Sequence, residues 1–450
     1  MKILRIVILG FITTVCYSCS TEEDALSPVE PSVDNTADNV YFTHNQWIYS
    51  QMNKHYLWRK DLPDSLSCNY DQTPNDFFKG LLSDKDRFSY MLTNPTYNPE
   101  SRTVLGFSYQ TYKDIKNNTA SLILYVSDKS VALSDIRRGD WINIISFDTT
   151  TLCYSKVTVS DGIFVYDNKV STLSISSPTQ KSTVLLDSIY SNNIGYLCYT
   201  EFDDIADLVP VMNKFKEHNI HNLILDLRYN PGGYVKTCKY LANCIAPEIA
   251  YGNIFQITKY NDVIAMENII ETGHAELYDN FGFPVTDPDH LKGGHAIIPL
   301  NLSKLYVLTS SHTASASEAT ILCLKPYMEV IQIGETTVGK GVGSYTISDR
   351  HYKYAIQPIT MQYYNRNENT VPIEGLVPDY YISDGYKISK NDIGDIEEPL
   401  LKAALSLINT STLPAQMSHM SRSNFDNSLT PIGEPSYVTE FKNKYYNESN

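Results

Sequence analysis

The 450-residue sequence predicts a mixed α/β (α+β) protein with a small helical N-terminal region, a β-rich middle and a larger core. Three observations predict this. Apolar residues recur at helical spacing within 41–92, and they alternate in the manner of strands from about 99 to 186. From 187 to 388, strand-like and helix-like stretches follow one another. The formal net charge of −15 argues against nucleic acid as a partner. With 34 tyrosines and only 19% charged residues, the composition suits a secreted, β-rich protein better than a cytosolic one.

The first 18 residues place Lys2 and Arg5 before an apolar run from Ile6 to Tyr17, the pattern of a secretory signal peptide. The run is too short for a stable membrane span. Cys19, followed by Ser20-Thr21-Glu22-Glu23-Asp24, resembles a bacterial lipobox with an acidic tether, although Cys16 stands at −3 where leucine is usual. That resemblance implies lipidation of Cys19 and a lipid-anchored place in the bacterial outer membrane, on the periplasmic or the surface side. The alternative is an ordinary cleaved signal peptide. Residues 19–40, with Pro28 and Pro31, read as a flexible tether.

Within 41–98, Trp47, Ile48, Met52, Tyr56 and Leu57 fall three to four residues apart and predict a helix, and Asn75 opens a second, shorter one. Within 99–186, the stretches 120–126 and 141–145 read as strands, with Asp135-Ile136-Arg137-Arg138-Gly139-Asp140 between them. The tripeptide Arg138-Gly139-Asp140 reads as a turn. This order of strand, helix, turn and strand resembles a PDZ-type domain, though short strands around such a turn also occur in other β folds. The resemblance implies that Leu105, Gly106 and Phe107 form a carboxylate-binding loop and that a substrate C-terminus is added as an extra strand.

The core, 187–388, begins with a strand at 194–199, an amphipathic helix at 203–218 and a strand at 223–227. A parallel pair needs such a crossover. A helix over 235–245 follows the next turn, and the polar stretch 250–300 reads as strands and a long loop near a cleft. Strands are expected at 305–308, 330–333 and 355–363. A closing helix, 394–408 within 389–410, shows Leu400, Leu401, Ala404 and Leu405 on one face, and 411–450 reads as a polar, loosely ordered tail. Of the eight cysteines, the six beyond Cys19 include no CxxC pair and no zinc-type His/Cys spacing; Cys198 and Cys323 read as buried thiols. Neither a metal nor a cofactor is expected.

The chemistry concentrates in Ser311 to Ser344. Ser315 opens an apolar helix, and Lys340 follows 25 positions later between Gly339 and Gly341. Alone, Ser315-x-x-Glu318 fits a capping box, and a loop lysine is ordinarily solvated. Together they suggest acyl transfer. A serine hydroxyl needs an adjacent base, and a desolvated lysine can serve as one. The helix start offers the Ala316 amide to an oxyanion. A third stretch, Asp226-Leu227-Arg228-Tyr229-Asn230-Pro231-Gly232-Gly233, ends an apolar strand in a tight turn whose glycines free an amide. Asp226 and Arg228 share a face and need buried partners. His312 is an alternative base for Ser315.

These three motifs together resemble the C-terminal processing, or tail-specific, serine–lysine peptidases of family S41, related to the tricorn core protease. The resemblance runs from about 41 to 410. It implies a ClpP/crotonase-like core, Ser315 as nucleophile and Lys340 as general base, and an oxyanion hole from Ala316 and Gly232 or Gly233. It also implies a peptide or protein substrate. The family often has a glutamine four residues after the lysine. Here that position is Ser344, a candidate to hold the amine. The rival readings are a catalytically weak peptide-binding lipoprotein and a surface glycan- or protein-binding protein that uses its tyrosines as stacking platforms.

Overall fold

The computed structural model describes residues 41–92, 106–127, 130, 132, 135–147, 151–174, 182–284, 295–349, 354–384, 391–414 and 428–446. Helix α1 (Phe42–His55) buries Ile48 and Met52, one turn apart. Helix α2 (Pro74–Gly80) begins where the Thr73 hydroxyl accepts the Asp76 amide and proline occupies the first turn. The two helices pack around Tyr56, whose hydroxyl donates to Asp86 at 2.8 Å. A short strand, β1 (Tyr90–Leu92), follows.

Strands β2 (Phe107–Lys113), β3 (Thr119–Val126), β4 (Trp141–Phe147), β5 (Thr151–Ser160) and β6 (Ile163–Ser174) make an antiparallel meander in chain order. Phe107, Ile123, Ile142, Leu152 and Tyr154 form its own small core, closed by Ala132 and Ile136 from the β3–β4 connection. Arg137 to Asp140 form a turn: the Asp140 carboxylate accepts the Arg137 amide at 3.1 Å, and Gly139 takes φ +82°. The Arg138 side chain is buried, so the Arg-Gly-Asp tripeptide is not a surface feature.

Strand β7 (Val184–Tyr190) lies antiparallel to β8 (Ile194–Tyr199) at the edge of a large, mostly parallel sheet. Helix α3 (Leu208–Glu217) crosses over to β9 (Asn222–Asp226), which runs parallel to β8. Helix α4 (Val235–Ile245), strand β10 (Ile254–Tyr260), helix α5 (Asp262–Thr272) and strand β11 (Leu277–Asn280) come next. Strand β12 (Lys304–Thr309) returns beside β9, helix α6 (Ala316–Leu324) crosses over, and β13 (Glu329–Gly334) pairs in parallel with β12.

The chain then forms β14 (Val342–Ser344), β15 (Ile347–Asp349), β16 (Tyr354–Gln357) and β17 (Ile359–Tyr364). Strands β14 and β17 join β10 and β11, while β15 and β16 join β1. Strand β18 (Tyr380–Tyr381) adds to β13 and gives the order β18-β13-β12-β9-β8-β7. Helix α7 (Pro399–Thr410), strand β19 (Thr430–Ile432) and helix α8 (Ser436–Tyr446) complete the described chain.

Side chains on the large sheet alternate between two cores. Leu223 and Leu225 face α3, α4 and α6, whereas Ile224, Tyr196 and Leu308 face Leu400, Leu401 and Ala404 of α7. The six cysteines from Cys68 to Cys323 are free thiols, and Cys198 and Cys323 are buried. No helix among the described residues is long and apolar enough to cross a membrane.

Two expectations give way. The polar stretch 250–300 contains a helix, α5, whose start is capped by Asn261 Oδ1 accepting the amides of Val263 and Ile264, both at 3.0 Å. Gly273, at φ +81°, ends it. The tail expected to be loose over 411–450 is folded at 428–446, because Leu429, Tyr437, Val438 and Phe441 are buried. Strand β19 pairs antiparallel with β2, Ile432 lying opposite Thr111. Gln110 Nε2 also donates to the Ile432 carbonyl at 3.0 Å.

A buried ionic cluster joins these parts. The fully buried Arg228 donates from Nε to both oxygens of Asp226 at 3.0 Å, and its two Nη atoms reach the Glu398 carboxylate at 2.7 and 2.9 Å. Glu398 also caps α7 by accepting the Leu401 amide at 3.0 Å. Arg138 of the meander pairs with Asp384, and Tyr229 donates to the same carboxylate at 2.8 Å. Burial pushes the Asp226 carboxyl up, opposed by the Arg228 guanidinium, while Asp384 is held below its ordinary value by Arg138 and Arg228 against its own burial.

Candidate active site

Ser315 sits where β12 turns into α6, with φ +57° and ψ −114°. A residue with a Cβ avoids this half of conformational space, so the surroundings must impose it. They do so through the turn after β9. The Asn230 carbonyl accepts the Ala314 amide at 3.3 Å and the Ser317 hydroxyl at 3.0 Å, which ties the two turns together. Gly232, at φ +120°, allows the contact: a Cβ there would lie 2.9 Å from Ser315 Cβ.

Lys340 follows β13, which runs beside β12 and carries its outgoing loop toward the serine turn. The Val338 amide donates to the Thr313 carbonyl at 3.0 Å and fixes that approach. Gly339 takes φ +89°, where a Cβ would stand 2.2 Å from the Ile373 carbonyl oxygen. The Lys340 ammonium lies 5.4 Å from the centre of the Phe88 ring. Ser315, Lys340, Gly233, Ser344 and Gln357 all line one hollow of about 450 Å³.

Glu318 couples the two loops. It is wholly buried, and its Oε2 accepts the backbone amides of Ser315 at 2.9 Å and Lys340 at 2.8 Å. Its Oε1 accepts the Gly339 amide at 2.7 Å and the Thr337 hydroxyl. Burial raises the carboxyl above its ordinary value, and these four donors pull it back. The capping box between Ser315 and Glu318 is present, its Glu318 half being the bond to the Ser315 amide.

The two glycines differ. The Gly232 amide donates to Asn230 Oδ1 at 2.9 Å and is already engaged. Among the described residues, the amides of Gly233 and Ala316 have no protein acceptor. Gly233 borders the hollow and Ala316 starts α6.

The Ser344 hydroxyl accepts from Gln357 Nε2 at 3.0 Å, and Gln357 Oε1 accepts from the Thr346 hydroxyl at 2.9 Å. Gln357, from β16, therefore brings an amide into the hollow that the sequence motifs do not reveal. His312 lines a neighbouring hollow, and its ring packs edge-on against Tyr437 with centroids 6.2 Å apart. Burial lowers its pKa.

Of the expected peptide-binding loop, Leu105 lies outside the described residues, as does Cys19. Gly106 takes φ +71° against Ser130, and the Phe107 side chain is spent in the meander core. The β2 edge from Tyr109 to Lys113 is taken by the chain itself, through β19 and through Ser436 Oγ accepting the Tyr109 amide at 3.0 Å. Among the described residues, no group of three or more His, Cys, Asp or Glu side chains is placed to hold a metal ion.

Comparison with known proteins bears on this geometry directly. The model of peptidase family S41 matches residues 193–382, and that of the peptidase S41 N-terminal domain matches 43–90. The chain belongs to peptidase family S41. Its S41 match spans β9, the serine turn and the Lys340 loop, and as a member the protein is a serine-type peptidase.

A CtpA-like serine protease of Staphylococcus epidermidis (strain RP62A) is 25% identical over 373 residues, covering 78% of this chain and 67% of that protein. The carboxy-terminal processing protease CtpA of Bacillus subtilis (strain 168) is 27% identical over 181 residues, 39% of this chain and 33% of the relative. Among solved structures, a protein described as an S41 protease of Bacteroides fragilis NCTC 9343 superposes with a TM-score of 0.66 at 27% identity. That alignment covers 81% of this chain and 97% of the other. The S41 matches stop at Ile382, so α7, β19 and α8 lie beyond them.

Proposed function

We propose that this S41 peptidase cleaves peptide bonds with Ser315 as nucleophile and Lys340 as general base. The observation that carries the proposal is the Glu318 carboxylate, which accepts the amides of both residues at 2.9 and 2.8 Å and so fixes one loop against the other. The unprotonated Lys340 amine takes the Ser315 proton as Oγ bonds to the scissile carbonyl carbon. The amides of Gly233 and Ala316 receive the oxyanion. Lys340 then returns its proton to the departing amine. Water, deprotonated by Lys340, attacks the acyl-enzyme and releases Ser315. Ser344, held by Gln357, lies in the same hollow as the amine and orients it.

The substrate follows from the relatives named as C-terminal processing proteases, so protein C-termini are the expected targets. In this reading the large sheet with its helices is a ClpP/crotonase-like core and the β2–β6 meander a PDZ-like module. A peptide adding to β2 would have to share that edge with β19 or displace it. We also take Cys19 to be lipidated and the enzyme to be held at the outer membrane.

The test is cleavage of an unstructured protein by residues 20–450 from pH 6 to 10, beside Ser315→Ala and Lys340→Ala. Activity that rises with pH and disappears in both variants is the expected result. A wild-type protein as inert as its variants would favour a peptide-binding role, and cleavage surviving Ser315→Ala would remove the nucleophile assignment.

A further inference from the structure

A second hollow, of about 360 Å³, adjoins the one that holds Ser315. Lys340 and Phe441 belong to the walls of both. The charges around this second space are largely engaged. Arg87 donates to the carbonyls of Val338 at 3.2 Å and Ile373 at 2.8 Å, and Lys442 pairs with Glu434 at 2.8 Å. Beside Ser89, Tyr90, His312 and Lys340, the space is faced by the apolar Phe88, Val338, Val438 and Phe441.

Two of these four residues come from α8, which lies outside both family matches. Val438 and Phe441 are three apart and share a helix face. That face is anchored on both sides. The Tyr437 ring packs on Tyr229 with centroids 5.6 Å apart, and Lys444 pairs with Asp203 at 2.6 Å and with Glu201. Helix α8 is thus docked against the loops that carry the site, with two apolar side chains turned into a space that adjoins the nucleophile.

We propose that α8 sets the substrate preference of this peptidase. The 360 Å³ hollow receives an aliphatic or aromatic side chain of the substrate near the scissile bond, and Phe441 limits how large that side chain can be. The inference rests on Ser315 and Lys340 being the reacting pair. The class of ligand follows from the lining: a charged side chain would be desolvated there beside Arg87, Glu434 and Lys442, which already have partners, whereas an apolar one would exchange water for contacts.

The experiment is a panel of peptides carrying Ala, Leu, Phe, Trp, Asp or Lys at each position flanking the cleavage site. The panel is read as kcat/KM for wild type, Phe441→Ala, Phe441→Leu and Phe441→Trp. At one position, wild type should favour Leu or Phe over Asp by at least about tenfold. Phe441→Ala should shift the ratio of Trp to Leu upward by about tenfold, and Phe441→Trp should shift it downward. Phe441→Leu supplies the comparison if the alanine variant does not fold.

The same panel titrated against Ser315→Ala by fluorescence anisotropy reads the hollow without any cleavage. Cleavage that survives Ser315→Ala would sink the nucleophile assignment and leave this binding ranking to judge the pocket by itself. A ranking unchanged by all three Phe441 variants would overturn the proposal. So would a uniform rise for every peptide, which would make α8 a simple obstruction.

Discussion

One oxygen of Glu318 accepts the backbone amide of Lys340 at 2.8 Å while it also accepts that of Ser315 at 2.9 Å. The proposed base and nucleophile are therefore registered through their main chains, independently of where the lysine amine swings. Glu318→Gln replaces one accepting oxygen with a donor that faces donors. Hydrogen bonds to a charged group are each worth about 1.5–3 kcal/mol. We expect kcat/KM to fall by about 10- to 100-fold with the circular dichroism spectrum unchanged. Retention of full activity would show that the two loops hold themselves.

The glycines offer a contrast. Gly232→Ala puts a methyl group 2.9 Å from Ser315 Cβ at φ +120° and should abolish cleavage. Gly273 has an equally left-handed φ of +81°, with nothing within 4 Å of the added carbon. Gly273→Ala should cost only about 1 kcal/mol in a urea melt and leave kcat/KM alone.

Arg228→Met removes a guanidinium from between two buried carboxylates, Asp226 and Glu398. Stranding buried charge typically costs about 3–5 kcal/mol. Chemical denaturation should register a loss of that order. An Asp226→Asn change placed on top of it should recover part of the loss, because one uncompensated carboxylate has gone.

Burial depresses the His312 pKa below its ordinary value of 6.5, against the pull of Glu335 and Glu434 and with Lys442 acting in the same sense as burial. Protonation is then harder in the folded protein than in the unfolded chain. The stabilising contribution is present above 6.5 and is lost as pH falls through the lowered folded value. Urea midpoints should therefore fall below pH 6.5 more steeply in wild type than in His312→Asn. Parallel profiles would mean that His312 titrates normally.

Cys19→Ala should abolish incorporation of labelled palmitate in bacterial cells and release the enzyme from the membrane fraction. Label retained by the variant would point to a different anchor.

Much of the site was legible because its demands are local. Gly339 and Gly341 around Lys340, the paired glycines after Asn230 and the small residues before α6 each answer a backbone requirement that any reader of the chain can see. The capping role of Glu318 was equally visible. Its grip on Lys340 was not, since that depends on β13 lying parallel beside β12 and delivering its outgoing loop to the serine turn. Gln357 is 17 positions beyond the lysine and reaches Ser344 only after the chain has turned back through β15 and β16.

Helix α5 carried its signals, a capping Asn261, a terminating Gly273 and Val263, Met266 and Ile270 at helical spacing, yet none of its residues is buried, and they stand in a stretch whose Gly, Asp and His content reads as loop. Helix α8 failed for a different reason. Tyr437, Val438 and Phe441 are interleaved with Glu440, Lys442 and Lys444, and their burial is against segments from three distant parts of the sequence.

Strand β19 also imposes a timetable on biosynthesis. Thr111 pairs with Ile432, so the first strand of the meander cannot be covered until about 320 further residues have left the ribosome. Until then, β2 offers an open row of amides and carbonyls to whatever strand comes near. A polypeptide truncated before residue 430 keeps that row exposed for good, which makes premature termination of this gene a route to aggregation as well as to a missing helix.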